Sequence, residues 1–210
     1  MSAQIFYNNG SSSSEIITHL INSTDGAGLH FDGTSGNIDI ASPPDLSTKF
    51  SFEFVLQADS WADSVNKYIV DFGNGGRIVL GTDSAAGAKL AIYDNVSWKT
   101  FGVSPVDDLK VHHLVVTIDG TAAILYDNGN QVGSATISAS NNIDGCIDAA
   151  IGSNYGNTGA WFTGNIFRTR FWNKTLSQAE ITSVYESASL DYADQWGSQT
   201  ELSSNTDFSG

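Results

Sequence analysis

A single cysteine, Cys146, is all the thiol chemistry the chain has. It excludes an intramolecular disulfide and a cysteine-based zinc site. Basic residues are also scarce: 9 Lys and Arg stand against 23 Asp and Glu, a formal charge of −14. Phosphate recognition needs a Lys/Arg footprint, so nucleic acid is excluded as a partner, and an anionic membrane surface with it. No stretch approaches the roughly 18 consecutive apolar residues of a membrane-spanning helix, so no membrane insertion is expected. The opening Met1 to Gly10 has neither a basic segment nor an apolar one, and no signal peptide is expected there. Proline occurs only 3 times.

What the chain does have is 21 glycines and short runs of Val, Ile, Phe and Tyr between Gly, Asn, Asp and Ser clusters. This is the pattern of an all-β sandwich or barrel. Phe50 to Leu56 alternates with period two, which puts Phe50, Phe52, Phe54 and Leu56 on one face. Leu29 to Asp32 and Asn37 to Ile40 read as a hairpin around Gly33 to Gly36. Further strands are expected over 67–72, 77–80, 89–93, 131–137, 149–152 and 165–172. His112 to Ile118 and Ala122 to Tyr126 form a hairpin across Asp119-Gly120, and Asp127 to Gly129 makes a second tight turn. The body is expected over 27–186. Residues 1–26 and 187–210 are polar and Ser-rich and read as docking arms, with a short helix or an edge strand near Glu15 to Ile21.

In Ser177-Gln-Ala-Glu180, a Ser three residues before a Glu predicts a capping box. Ile181, Val184 and Tyr185 then share one face of a single short helix. The expectation is a plug over an open end of the sandwich.

Several segments in order carry a resemblance. They are Leu29-x-Phe-Asp-Gly33, Phe50-Ser-Phe-Glu-Phe54, Val111 to Asp119, Leu125 to Gly129, Ala150-Ile-Gly152, and Phe162 through Arg170-Phe-Trp-Asn173 to Ile181. Together they resemble the laminin-G-like branch of the concanavalin A-like lectin/glucanase superfamily. The resemblance implies a two-sheet antiparallel jelly-roll sandwich with one concave face. It does not imply one activity, because the fold hosts lectins, glycanases, adhesins and structural modules.

The glucanase branch carries its carboxylates as E-x-D-x-x-E along one strand, and that motif is absent. Glu53 is the one Glu of the predicted strands, and an Arg-paired or solvated role is expected for it. Hydrolysis needs a second carboxylate about 5–9 Å away. His112 and His113 are adjacent on a strand and point to opposite faces, so they cannot share an ion. The resemblance makes Ca²⁺ a candidate cofactor, with Asp32 and Asp127 foremost and Asp71 and Asp94 beside them, since a hard cation takes oxygen ligands. Where the family places acidic residues after its Gly-x-Ile step, this chain has Phe167 and Arg168. Asp32 and Asp127 also suit the capping of turns.

Sugar rings stack on exposed aromatics while amides bind their hydroxyls. Trp61, Tyr93, Trp98, Tyr155 and Trp161 lie in or beside predicted loops, and Asn157 sits in the polar loop between Tyr155 and Trp161. The same aromatics suit a protein interface. The reading that combines these features is a non-enzymatic virion module of a bacteriophage. It would be a capsid decoration protein or a tail or fibre component, docked through its arms to other virion proteins or sister subunits and able to touch cell-surface glycans. The alternatives are a free bacterial carbohydrate-binding or adhesin module at the cell surface and, last, a glycanase.

Overall fold

The computed structural model describes residues 18–22, 28–40, 48–61, 65–73, 78–103, 109–138, 146 and 148–191. Within them the chain forms two antiparallel sheets. The seven-stranded sheet contains β1 (Thr18–Asn22), β2 (Leu29–Asp32), β4 (Lys49–Ala58), β9 (His112–Asp119), β10 (Ala122–Asp127), β11 (Asn130–Thr136) and β13 (Thr163–Trp172). Its order is β1-β13-β4-β9-β10-β11, with β2 also pairing β13. The six-stranded sheet contains β3 (Ile38–Ile40), β5 (Tyr68–Gly73), β6 (Ile78–Asp83), β7 (Lys89–Tyr93), β8 (Trp98–Thr100) and β12 (Asp148–Ile151). Its order is β3-β12-β5-β6-β7-β8. The arrangement is the jelly-roll sandwich expected from the sequence. Strands β9 to β11 and β5 to β8 follow one another along the chain, whereas β13, β4 and β9 in one sheet and β3, β12 and β5 in the other come together from distant parts of it.

Period-two alternation builds the core. Phe50, Phe52, Phe54 and Leu56 of β4 all point inward, as do Leu114, Val116 and Ile118 of β9. Across the gap they meet Val70 and Phe72 of β5, Ile78 and Leu80 of β6, and Leu90 and Ile92 of β7. Phe52 stacks on Phe72 with ring centroids 5.4 Å apart, which joins the two sheets at their centre. In β13 the alternation breaks. Ile166 pairs with Leu56 and Arg168 with Val55, so Phe167 is an extra residue. This bulge leaves Ile166 in the core and turns Arg168 to the outer face, although plain alternation would put both on one side.

The expected hairpin around Gly33 to Gly36 does not form. β2 pairs with β13 and β3 pairs with β12, so the two strands lie in different sheets. Asp32 turns the chain between them: its Oδ1 accepts from the backbone N–H groups of Thr34 and Ser35, each at 2.8 Å. A tight polar turn looks the same in sequence whether its strands pair or part. At the amino-terminal end, Thr18–Asn22 is a strand on β13, in the segment read as a docking arm.

The carboxy-terminal helix α1 (Gln178–Asp191) begins at the capping box read from the sequence. Glu180 Oε2 accepts from Ser177 N at 2.7 Å, and Glu180 N donates to Ser177 Oγ at 3.3 Å. Bonding from Lys174 and then from the Ser177 N–H holds the Glu180 carboxyl down at about 2. The helix is not an end plug. It lies along the outer face of the seven-stranded sheet, where Ile181 packs with Val115, Tyr126, Trp172 and Leu176, and Ala188 packs with Val55, Val111 and Phe167. A flat row of outward side chains offers more area to a helix face than the rim of a sandwich does.

Between these two apolar patches the outer face is charged. Glu53 is fully buried, and its Oε1 is 2.9 Å from His113 Nε2 and 3.0 Å from Arg168 Nη2. Arg170 donates to both of its oxygens, with Nη2 at 2.6 Å from Oε1. Arg168 also reaches the Val184 carbonyl of α1, and the His113 ring lies 5.6 Å from that of Tyr185. Burial alone would push the Glu53 carboxyl up. The bonds from His113 and Arg170 outweigh it and hold the group well below the usual carboxylate range.

Candidate functional site

A sandwich has two outer faces, and α1 covers one of them. The other belongs to the six-stranded sheet. Its strand register lines up one cross-strand row: Asp39, Ala150, Asp71, Val79, Tyr93 and Trp98, from β3 through β12, β5, β6 and β7 to β8. Their neighbours along each strand point into the core, so alternation turns this row outward. A second outward set, Tyr68, Gly81, Ala91 and Thr100, crosses from β5 to β8.

Tyr68 and Trp98 stand three strands apart, about 14 Å at the usual strand spacing. Their ring centroids are nevertheless only 5.6 Å apart. The two rings must therefore lean toward each other over β6 and β7. Val79 and Ala91, which lie beneath them, are fully buried. Tyr93 joins the group at 5.5 Å from Trp98. Tyr68, Tyr93 and Trp98 all remain partly exposed.

The loop joining β12 to β13 sits against the start of β5. Gly152 N donates to the Ile69 carbonyl at 3.0 Å, and Tyr68 N donates to the Ala160 carbonyl at 2.8 Å. Asn154 braces the loop from inside: its Oδ1 accepts from Thr158 N and Gly159 N, and its Nδ2 donates to Thr158 Oγ1. Trp161 Nε1 donates to Asn157 Oδ1 at 3.0 Å. Tyr155 N donates to Asp71 Oδ2 at 3.2 Å, and the Tyr155 ring lies against Gly73, where a Cβ would collide with it. Tyr155 stays 42% exposed, more than any other large aromatic among the described residues. The braced loop therefore presents two aromatic rings together with amide and hydroxyl groups. That combination holds a polyhydroxylated ring by stacking and by directed hydrogen bonds.

Of the six residues anticipated for carbohydrate, the structure brings Tyr93 and Trp98 together on the sheet and places Tyr155, Asn157 and Trp161 in the neighbouring loop. Trp61 is different. It is 1% exposed and packs edge-on to Phe162 at 5.3 Å, so it belongs to the core and has no open face for a sugar. Sequence reading missed Tyr68. Alternation with Val70 and Phe72 would bury it, but Ile69 is an extra residue between the Tyr68–Gly81 and Val70–Leu80 pairs, and this irregularity turns Tyr68 outward. No local signal announces that.

The calcium candidates do not assemble. Asp32 and Asp127 are four strand spacings apart, through β13, β4 and β9, or about 19 Å, too far to share an ion. Backbone bonds from Thr34 and Ser35 occupy Asp32 and hold its carboxyl at about 2. Both Asp127 oxygens lie 3.0–3.1 Å from His112 Nδ1. Asp94 accepts from Val96 N, Ser97 N, Ser138 N and Ser138 Oγ. Among the described residues no three His, Cys, Asp or Glu side chains come together as a metal site. These donors do not fit a resident Ca²⁺. His112 and His113 diverge as expected, one to Asp127 and the other to Glu53.

A model of the concanavalin A-like lectin/glucanases superfamily, of laminin-G type, matches residues 32–182. No curated protein sequence matches the chain. The fold is similar to that of the CBM40 module of the Ruminococcus gnavus IT-sialidase, seen with alpha2,3 sialyllactose. The two are 15% identical, with a TM-score of 0.58 over 75% of this chain and 96% of that one. It is also similar to domain 4 of an extracellular arabinanase from Geobacillus stearothermophilus, in complex with arabinotriose, at 17% identity and a TM-score of 0.54 over 81% and 88%. A third similar structure is a heptameric SAP-like pentraxin from Limulus polyphemus, at 13% identity and a TM-score of 0.58 over 74% and 80%. At these identities the likeness is one of fold.

Proposed function

The chain belongs to the concanavalin A-like lectin/glucanases superfamily, and from that premise we propose that it is a non-catalytic glycan-binding module. Its site is the outer face of the six-stranded sheet with the loop from Gly152 to Phe162. One observation carries the proposal. Five partly exposed aromatics, Tyr68, Tyr93, Trp98, Tyr155 and Trp161, gather on or beside the sheet face that α1 leaves open. Two of the similar folds, the sialidase module and the arabinanase domain, were seen with bound oligosaccharides. Both are parts of glycosidases, and in this chain the non-catalytic reading rests on Glu53. A carboxylate sealed under a helix and held by two guanidinium groups and a histidine cannot reach a glycosidic bond.

A finer reading puts the module on a bacteriophage particle, docked through residues 1–26 and 187–210. It rests on the acidic charge and the polar composition of those segments. A module on a bacterial surface would bind glycans in the same way.

A glycan array probed with the labelled full chain tests the function. Binding to a defined subset of glycans is expected. Truncation of a central aromatic typically costs about 1–2 kcal/mol, so Tyr155→Ala and Trp161→Ala should each weaken binding by about tenfold. Val132→Ala, on the exposed strand β11 of the other sheet, is the control. A chain that binds nothing on a broad array leaves the aromatics to a protein partner and overturns the proposal.

A further inference from the structure

Resting on that reading, we infer that the site takes an extended, unbranched run of several sugar residues, held on two separate aromatic platforms, rather than a single terminal sugar. Strand β5 carries one platform at each end, since Tyr68 is its first residue and Gly73 its last. The loop between β12 and β13 builds the platform at Gly73. It leaves the sheet at Gly152, whose N–H donates to the Ile69 carbonyl, and returns at Ala160, whose carbonyl accepts from Tyr68 N. Both ties lie at the start of β5. Between them the loop doubles back along the outer face to the other end of the strand. There Tyr155 N donates to Asp71 Oδ2 and the Tyr155 ring lies against Gly73, which makes room for it by having no Cβ.

The second platform is the group of Tyr68, Trp98 and Tyr93. Trp98 meets both tyrosines, with centroids 5.6 Å from Tyr68 and 5.5 Å from Tyr93. Its distance from the first follows from the strands. Tyr68 and Gly73 are separated by five residue steps that include the extra residue Ile69, about 13–16 Å of strand. Trp98 lies three strands from β5, about 14 Å across the sheet, and its contact with Tyr93 on β7 limits how far its ring leans back toward β5. Ring-on-ring contact holds centroids within about 7 Å. A sugar stacked on Tyr155 is therefore out of stacking reach of the other group, and only a saccharide of several residues covers both. Such a chain repeats the same apolar sugar face along its length, so one kind of contact can be made twice. The second contact is then intramolecular and raises affinity without any new chemistry. Both platforms are set before the sugar arrives, one by the bonds of Asn154 within the loop and the other by ring packing, which spares the cost of ordering them on binding.

The test is a calorimetric titration of the full chain with ladders of one to six units of gluco-, xylo-, arabino- and N-acetylglucosamine oligosaccharides. Within a ladder that binds, affinity is expected to climb with length by about tenfold or more and then level off, as a second central aromatic contact is added. Tyr155→Ala and Trp98→Ala should each lower the affinity of the longest member about tenfold, and together about a hundredfold, because positions this far apart act independently. The shortest member that binds occupies one platform, so only one of the two substitutions should weaken it. The length series on the parent chain needs no variant and stands even where Trp98→Ala fails to fold. A monosaccharide or disaccharide that binds as tightly as the longest member, or a short member weakened equally by both substitutions, overturns the inference and leaves glycan binding standing. So does binding on the array to capped or branched termini with every ladder silent. Binding to no ladder and to nothing on the array overturns the glycan reading and this inference together.

Discussion

Glu53→Gln is expected to destabilise the fold by about 3–5 kcal/mol, the usual cost of removing one partner from a buried ion cluster. Both carboxylate oxygens are engaged, by His113 Nε2, Arg168 Nη2 and two nitrogens of Arg170. A glutamine keeps one acceptor and turns its amide donors toward guanidinium groups that themselves only donate. Arg168 is 3% exposed and lies under α1, so water cannot take over. Urea unfolding measures the loss, which should appear as a lower midpoint at an unchanged slope.

The acid response follows from the same group. The Glu53 carboxyl ionises below its ordinary value of 4.5 in the folded chain. The unfolded state therefore binds the extra proton as pH falls. The stability this group contributes is full above that ordinary value and is lost as pH drops through the folded one. Glu180 and Asp32, each held at about 2, act in the same direction. Stability should decline from about pH 4.5 downward, and the Gln variant should lose part of that slope. A variant within about 1 kcal/mol of the parent would mean that the cluster is not closed as described. Because Glu53 and the aromatic row occupy opposite faces, a folded Gln variant should bind glycans as the parent does.

Phe171→Ala should cost about as much, 3–5 kcal/mol, as large buried aromatics do when a cavity replaces them. The Phe171 ring meets Phe52, Phe54 and Phe72 edge-on, with centroids 5.5, 6.1 and 5.3 Å away. Phe72 belongs to the six-stranded sheet and the other three to the seven-stranded one. The ring thus clamps the layers together, and an alanine leaves three aromatic faces without a partner. Thermal unfolding gives the size of the effect, and Phe171→Leu, which fills most of the space, should cost clearly less. A loss below about 1 kcal/mol for the alanine variant would show that the core closes over the gap.

What the sequence made legible is what local spacing encodes. The β4 alternation, the β9–β10 hairpin across Gly120 and the Ser177–Glu180 cap each need only a few adjacent residues, and each stands in the structure. What it hid depends on register between distant strands. Asp39, Asp71 and Trp98 align because five separate pairings place them so, and no spacing along the chain announces it. The extra residues at Ile69 and Phe167 reverse which side chains face out, and the alternation rule has no means to foresee them. Trp61 looked like a loop aromatic because its neighbours are polar, whereas its ring is packed against Phe162. Glu53 was anticipated as Arg-paired or solvated; that it is paired, and sealed by α1, required knowing that the helix lies on the sheet rather than over an end.

The most direct test of the central claim is a nuclear magnetic resonance titration of the isotope-labelled full chain with the glycan that the array ranks first. The account predicts that shift changes concentrate at Tyr68, Tyr93, Trp98 and the loop from Gly152 to Phe162, while α1 and the strands beneath it stay unmoved. Changes confined to α1 and the seven-stranded sheet, or none at saturating glycan, would contradict it.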